Sequence, residues 1–330
     1  MISRISQVAR HLSRPRPNLG HLSAAAAGSR SGGLSSRIMA SASATADERN
    51  ARTIHTAACL IIGDEVLGGK TTDTNSSYMA KWCFSLGINL KRVEVIEDDE
   101  EEIMEAVRRM SDRYDLVVTS GGIGPTHDDI TYQSIAKAFG LTLTLHQEAY
   151  ERMKRLTKPH KSQPDFSWDV DSPSKTARLR MVELPIDPSR DLAKQALFVR
   201  DDFWVPISVV NGNIHILPGV PRLFEGLLEG LKPFIVDRLV DPDGKGISRV
   251  IISTPMAESA VAGFLTELAE KVGPKGVKVG SYPRWGKKNN SVTLVGRNKA
   301  YLESLVPEVI ANVQGRRVLV EGEDDEPEAS

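Results

Sequence analysis

The stretch Thr119-Ser-Gly-Gly-Ile-Gly-Pro-Thr-His-Asp-Asp-Ile-Thr131 decides the fold, because an apolar run ends in it and a helical pattern begins directly after it. Leu116, Val117 and Val118 form that apolar run and predict a buried strand. Glycines allow the turn to adopt positive φ and to bring its backbone N–H groups close to a ligand, while the following helix adds partial positive charge. The stretch therefore predicts a strand, a phosphate-binding turn and a helix.

Strand and helix patterns also alternate on the N-terminal side of this turn. Apolar runs over residues 55–62 and 90–96 predict two more buried strands, and apolar stripes over residues 78–86 and 103–110 predict the helices between them. Such alternation predicts an α/β fold in three layers, with a doubly wound, mostly parallel sheet.

The rest of the chain divides by composition. Residues 157–180 lack periodicity and contain three prolines, so they are predicted to form an excursion or lid without a regular element. Asn211-Gly212, between two apolar runs, predicts a β-hairpin. We therefore expect a main domain over 47–240, a smaller α+β domain over 247–320, and an acidic disordered tail over 321–330.

The N-terminal segment has its own composition. Residues 1–46 contain no Asp or Glu, and arginines alternate there with apolar residues at helical spacing. This pattern predicts a mitochondrial transit peptide, and the alternative is a disordered tail of biased composition. Met39 offers a second start that would give a cytosolic form.

Composition excludes several classes of protein. The chain has 330 residues, 40% hydrophobic and 26% charged, with a formal net charge of −1, so neither nucleic acid nor an anionic membrane surface is expected as a partner. No apolar run approaches the roughly 18 residues of a membrane-spanning helix, so no membrane span is expected. Cys59 and Cys83 lack the spacing of metal ligands, so we expect buried thiols, no zinc site and no haem.

Two common nucleotide-binding fingerprints are nearly present but fail on spacing. In the stretch from Gly63 to Thr72, Asp64 occupies the position of the first glycine of a P-loop, where its carboxylate would repel phosphates. In the glycine turn, His127 occupies the third glycine position of a dinucleotide-binding motif. A single loop histidine is more typical of a hydrogen-bonded turn than of an acid or base.

Carboxylates follow the predicted strands at several points. Asp64 and Glu65 follow the first strand, Asp73 precedes the first helix, and Asp128 and Asp129 follow the glycine turn. In an open α/β sheet these positions converge outside the carboxyl ends of the strands. Carboxylates beside a phosphate repel one another unless cations lie between them, which favours metal-assisted chemistry on a phosphate or pyrophosphate. The alternative is that these residues are turn and cap residues.

These positions give a specific hypothesis for the site. Asp64, Asp73 and Asp128 are the candidate catalytic residues, and Glu65 and Asp129 join them as candidate metal ligands, with metal-bound water as the nucleophile. The candidate substrate- and phosphate-binding residues are Asn75, Ser120, Gly121, Gly122, Gly124, Thr126 and Thr131. Thr126 is also expected to cap the helix that follows the turn.

Several separated motifs also resemble a known family. Gly63-Asp-Glu with Asp73-Thr-Asn75, and Gly121 to Asp129, look like the MoaB/Mog-like molybdopterin-binding fold, especially its branch in competence-damage protein CinA and eukaryotic FAD synthase. The other matching motifs are Ser174 to Arg180 ahead of Leu184-Pro185, Leu217-Pro-Gly-Val-Pro221, and Gly280-Ser-Tyr-Pro-Arg-Trp-Gly286. The resemblance extends over roughly residues 54–318.

The resemblance implies hydrolysis of a nucleotide pyrophosphate: the substrate would be FAD, giving FMN and AMP, or ADP-ribose. The expected cofactors are a divalent metal ion (Mg, Mn or Co) and potassium. The resemblance also implies a homo-oligomer. With no adenylyltransferase half in the sequence, FAD synthesis itself is not expected. Two alternatives stay open: molybdopterin binding with or without adenylyl transfer, and a non-catalytic nucleotide-binding protein. Ile123 occupies the position of a Thr in the Mog-type glycine motif, which weakens the molybdopterin alternative.

Overall fold

The computed structural model describes residues 44–158, 161–242 and 246–325. The predicted transit peptide, apart from residues 44–46, and the second start at Met39 lie outside these ranges. None of the helices in the described part of the chain has the length and apolar character of a membrane span. Cys59 and Cys83 are buried free thiols, as predicted.

Strands and helices alternate over residues 56–156, as the apolar patterns predicted. The strands are β1 (Thr56–Ile62), β2 (Asn89–Ile96), β3 (Leu116–Ser120), β4 (Thr142–Leu145), β5 (Glu183–Ile186), β6 (Ala196–Leu197), β7 (Ile207–Val210), β8 (Ile214–Leu217), β9 (Ser248–Thr254), β10 (Lys278–Tyr282), β11 (Asn290–Gly296) and β12 (Arg316–Val318). The α-helices are α1 (Ala46–Ala51), α2 (Asp64–Leu67), α3 (Asn75–Ser85), α4 (Glu100–Arg113), α5 (Thr131–Ala138), α6 (Gln147–Leu156), α7 (Pro173–Arg180), α8 (Pro221–Ile235), α9 (Glu258–Val272) and α10 (Lys299–Val313).

The larger sheet has the order β2-β1-β3-β8-β7-β6 within the described residues. β1 pairs in parallel with β2 and β3, and β3 pairs in parallel with β8. The β7–β8 hairpin turns at Asn211 and Gly212, both at positive φ, as predicted for this dipeptide. Helix α3 packs against α8 and α4 against α5, and the crossovers place these pairs on opposite faces. The doubly wound, mostly parallel three-layer fold is therefore confirmed.

The smaller C-terminal sheet is antiparallel, with the order β10-β11-β9-β12. Helices α9 and α10 pack against it, and the apolar side chains between them form a hydrophobic core of their own. This arrangement confirms the smaller α+β domain. Arg297, directly after β11, donates a hydrogen bond from Nη2 to the carbonyl oxygen of Gly87, which lies just before β2, at 2.6 Å.

The structure corrects two expectations. Residues 157–180 were predicted to contain no regular element, but helix α7 begins at Pro173, where the Ser172 hydroxyl accepts a hydrogen bond from the Lys175 N–H. The tail over 321–330 was predicted to be disordered, but residues 321–324 form a turn and Asp325 forms an ion pair with Arg284. The correction concerns residues 321–325, because residues 326–330 lie outside the described ranges.

Candidate functional site

The carboxyl ends of β1, β2, β3 and β8 lie side by side at one edge of the larger sheet. Each strand is followed there by a residue of the candidate site, since Asp64 follows β1, Asp98 follows β2, Gly121 follows β3 and Gly219 follows β8. Parallel pairing therefore brings together residues that lie far apart in the sequence.

Gly121 is required by the close approach of two strand ends. Its φ is +113°, and a Cβ on it would lie 2.1 Å from the carbonyl oxygen of Ile62, at the end of β1. Its N–H donates to the carbonyl oxygen of Leu217 at 3.2 Å, which ties the turn to β8. The turn is thus fixed between two neighbouring strands.

Gly122 is required by contacts from the other side of the turn. Its φ is +64°, and a Cβ there would lie 2.2 Å from Thr131 Oγ1 and 3.1 Å from Asp98 Oδ1. The Thr131 hydroxyl donates to the carbonyl oxygen of Gly121 at 3.0 Å, and the Thr131 N–H donates to that of Gly122 at 3.0 Å. The start of α5 therefore holds the glycine turn directly.

Asn75 and Ser120 form a buried polar layer beneath the turn. Asn75 Nδ2 donates to Ser120 Oγ and to the carbonyl oxygen of Gly219, both at 2.9 Å. Asn75, Ser120 and Thr131 are all buried. Of the predicted phosphate-binding residues, these three support the turn from below, while Gly122, Gly124 and Thr126 are accessible to solvent.

Asp64 and Asp98 form a reciprocal pair beside Gly122. The N–H of Asp64 donates to Asp98 Oδ2, and the N–H of Asp98 donates to Asp64 Oδ1, both at 3.1 Å. Burial raises the pKa of Asp98, and the nearby negative charges of Asp64, Glu65 and Asp128 raise it further. This is a local excess of negative charge next to the glycine turn.

Asp128 and Asp129 differ in environment although they are adjacent. Asp129 Oδ2 accepts hydrogen bonds from the N–H and the hydroxyl of Thr126, at 2.8 and 2.6 Å. Asp128 is largely exposed, and the neighbouring Thr126 lowers its pKa, with smaller effects from His127 and Arg180. The prediction that Thr126 caps the following helix is wrong, because α5 begins at Thr131 and Thr126 instead closes a turn with Asp129.

Asp73 lies in a separate local arrangement. Its Oδ1 accepts a hydrogen bond from the N–H of Ser76 at 3.0 Å, in the first turn of α3. This is the cap role that the alternative interpretation gave to such residues. Within the described residues, no group of three or more His, Cys, Asp or Glu side chains is arranged to hold a metal ion. The five candidate ligands therefore do not form such a group among the described residues, and a metal ion held by some of them stays a prediction.

Two residues of the site were missing from the sequence-based hypothesis. Asp98 lies two residues after the end of the predicted strand over 90–96, and this position was the signal that could have identified it. Arg180, at the end of α7, donates from Nη2 to the carbonyl oxygen of Asp129 at 3.1 Å. It brings a positive charge to an otherwise acidic rim, and its signal was the Ser174 to Arg180 motif.

Two family profiles match the chain. The family described as "Probable molybdopterin binding domain" matches residues 58–237, and "FAD synthase, middle domain" matches residues 247–321. Because the first match covers more than half of the chain, the chain belongs to the MoaB/Mog-like family of probable molybdopterin binding domains. The resemblance inferred from the motifs is thereby confirmed.

Relatives include proteins described as "Probable FAD synthase" and "CinA-like protein". The first, from Caenorhabditis elegans, is 31% identical over 76% of this chain and 48% of its own length. The second, from Anaeromyxobacter dehalogenans, is 26% identical over 82% of this chain and 62% of its own length. The chain thus spans about half to three fifths of these curated relatives.

Solved structures with a similar fold cover only part of the chain. The structure of "the protein CinA with unknown function" from Thermoplasma acidophilum is 30% identical over 55% of this chain and 98% of its own, with a TM-score of 0.45. That of "Molybdopterin biosynthesis enzyme MoaB" from Thermus thermophilus is 18% identical over 56% of this chain and 93% of its own, with a TM-score of 0.35.

Proposed function

We propose that this chain hydrolyses the pyrophosphate of FAD or ADP-ribose with the help of a divalent metal ion. The observation that carries the proposal is the reciprocal Asp64–Asp98 pair beside Gly122. Here two carboxylates lie next to the proposed phosphate-binding turn, and the pKa of one of them, Asp98, is raised. A cation would neutralise this excess of negative charge.

The residues fit a hard divalent ion that is shared with a substrate. Mg²⁺ is usually bound by one or two carboxylates together with substrate phosphates, and seldom by an all-protein cage. Asp64 and Asp98 would be those carboxylates, with Glu65 and Asp128 adding negative charge nearby. When bound, such an ion polarises the phosphoryl oxygens and lowers the pKa of coordinated water. Asp73 and Asp129 are engaged by local backbone groups, so we assign them a structural role.

The chain's own groups would position the pyrophosphate. The backbone N–H groups of residues 122–124 lie in a turn fixed by Thr131, and fixed amides stabilise developing phosphate charge without further rearrangement. Arg180 lies at the rim of the same turn, where its guanidinium would bind a phosphate oxygen. We therefore expect Arg180→Ala to raise KM more than it lowers kcat.

The test uses the full chain with FAD or ADP-ribose in the presence of Mg²⁺, Mn²⁺ or Co²⁺, with and without K⁺, and measures AMP by chromatography. Asp98→Asn should lower kcat by at least about 100-fold. Glu97→Gln is the matched control, because it removes an equal charge at the exposed neighbouring residue and should leave kcat within about twofold. Absence of AMP with every metal would refute the proposal.

The family description favours a second candidate, the binding of molybdopterin with or without adenylyl transfer. It would use the same turn, and binding of a pterin at least about 100-fold tighter than FAD would favour it. Saturable binding of FAD without any AMP would instead favour a non-catalytic nucleotide-binding protein. We also propose a homo-oligomer, which sedimentation of the full chain would test.

A further inference from the structure

A polar cavity lies in the C-terminal domain, away from the glycine turn. Its volume is about 560 Å³, and it opens between the end of β9, the loop over residues 286–289 and the start of β12. Lys287, Lys288 and Asn289 line it from the loop, and Arg316 lines it from β12. It shares no lining residue with the candidate active site, and its size is that of a small-molecule site.

The chain's own acidic segment, residues 321–325, enters this cavity with two carboxylates. Asp325 accepts hydrogen bonds from Arg284 Nη1 at 2.7 Å and Nη2 at 2.5 Å, and its Oδ2 lies 3.8 Å from Lys287 Nζ. Asp324 Oδ2 accepts from Asn289 Nδ2 at 2.9 Å and from Arg316 Nε at 3.4 Å. The forked contact of a guanidinium with two oxygens is also the geometry in which arginine binds phosphate.

The acidic segment fits the cavity incompletely. The side chain of Asp324 is only 6% exposed, and hydrogen bonding by Ser253 and Asn289 lowers its pKa, but its Oδ1 has no hydrogen bond of good geometry among the described residues. A buried acceptor without a well-formed hydrogen bond is unfavourable. Leu319 and Val320, which lead into the segment, are exposed, so apolar burial contributes little to holding it. A ligand with more acceptor oxygens can therefore compete with these carboxylates.

Aromatic side chains border the same basic loop. Trp285 is fully exposed and directly precedes Gly286, which lines the cavity, and Tyr282 is 54% exposed at the end of β10. Exposed aromatic rings beside positive charges are typical of sites that stack a planar base and bind its phosphate. The proposed activity at the glycine turn uses neither of these residues.

We propose that this cavity is a second binding site, for a phosphate-bearing small molecule, and that Asp324 and Asp325 are a tethered competitor for it. Arg284, Lys287 and Arg316 would bind the phosphate when the acidic segment leaves. The bound phosphate could belong to inorganic pyrophosphate or to a nucleotide. Only a nucleotide has a base that can stack on Trp285, so stacking distinguishes the two.

The test is fluorine NMR of the full chain labelled with 5-fluorotryptophan. The chain has four tryptophans, so the resonance of Trp285 can be assigned by its loss in Trp285→Phe. Titration with inorganic pyrophosphate, and separately with AMP, should shift that resonance in a saturable way. Tighter binding of AMP than of pyrophosphate would assign a nucleotide, and equal binding would assign the free phosphate compound.

Variants separate this site from the glycine turn. Asp324→Asn with Asp325→Asn should tighten binding by about fivefold or more, because the competing carboxylates are gone. Arg316→Ala should weaken it about tenfold, whereas Arg317→Ala should not change it, because Arg317 pairs with Glu303 outside the cavity. No shift of the Trp285 resonance at about 10 mM of either compound, or equal affinities in all these variants, would overturn the proposal.

Discussion

Replacement of Gly121 by alanine tests whether the glycine turn is fixed by the end of β1. The new Cβ would lie 2.1 Å from the carbonyl oxygen of Ile62, where ordinary contact begins near 3.4 Å. The turn or the strand must therefore move by about 1 Å, and such overpacking costs about 1–3 kcal/mol. Positive φ costs an L-residue about 1–2 kcal/mol more. We expect Gly121→Ala to lower the free energy of unfolding by about 2–5 kcal/mol.

Gly140→Ala is the matched control for this prediction. Gly140 has φ of +65° at the end of α5, and a Cβ there would meet nothing within 4 Å. Its replacement should lower the free energy of unfolding only by the cost of placing an L-residue at positive φ, about 1 kcal/mol. Urea denaturation of both variants, with the free energy taken from the midpoint and slope, gives the comparison. Equal losses for the two variants would show that Ile62 does not constrain the turn.

Three further predictions concern charge, metal and buried polar groups. Because its pKa is raised, Asp98 disfavours folding above that pKa, so Asp98→Asn should raise the free energy of unfolding at pH 7 by about 0.5–1 kcal/mol after solvent screening. That gain should shrink as the pH falls toward the ordinary Asp value of about 3.9, and a constant gain in urea titrations across pH would contradict it. Mn²⁺ at about 100 times its Kd should stabilise the wild type by about 2.7 kcal/mol in thermal unfolding. In Asp98→Asn most of this stabilisation by Mn²⁺ should be absent. Asn213→Ala should cost about 2–3 kcal/mol in urea, because it removes bonds of 2.6–2.8 Å to Ser111 and Tyr114, and a loss below about 1 kcal/mol would contradict that reason.

The fold was predictable where burial imposes a period on the sequence. β1 and β3 are buried almost throughout and appear as continuous apolar runs, and α4 carries an apolar stripe between acidic and basic ends. Helix α7 contains no buried residue, so it has no such stripe, and its start depends on a serine cap and a proline. The periodicity of apolar residues therefore could not predict this helix.

The candidate site was predictable only in part, because it depends on strand pairing. Asp98 becomes a site residue only because β2 pairs beside β1 and ends level with it, which brings its backbone N–H to Asp64. In the sequence, Asp98 lies 34 positions after Asp64, within an acidic run that begins at Glu97. Asp73 was selected as a carboxylate that precedes the first predicted helix, yet it accepts a hydrogen bond from an N–H in the first turn of that helix. Residue type alone does not distinguish these two situations.

Stability and proposed function are linked at this edge of the sheet. The polar layer of Asn75, Ser120 and Thr131 holds the turn through buried hydrogen bonds, so the turn cannot relax away from the carboxylates beside it. Asp64 and Asp98 are therefore kept close at a cost in folding free energy, as the raised pKa of Asp98 indicates. Sites that bind charged ligands commonly lower the stability of the free protein in this way, and binding of the ligand stabilises the folded state again. Asp98→Asn should consequently gain stability and lose catalysis together, whereas a surface carboxylate would change neither.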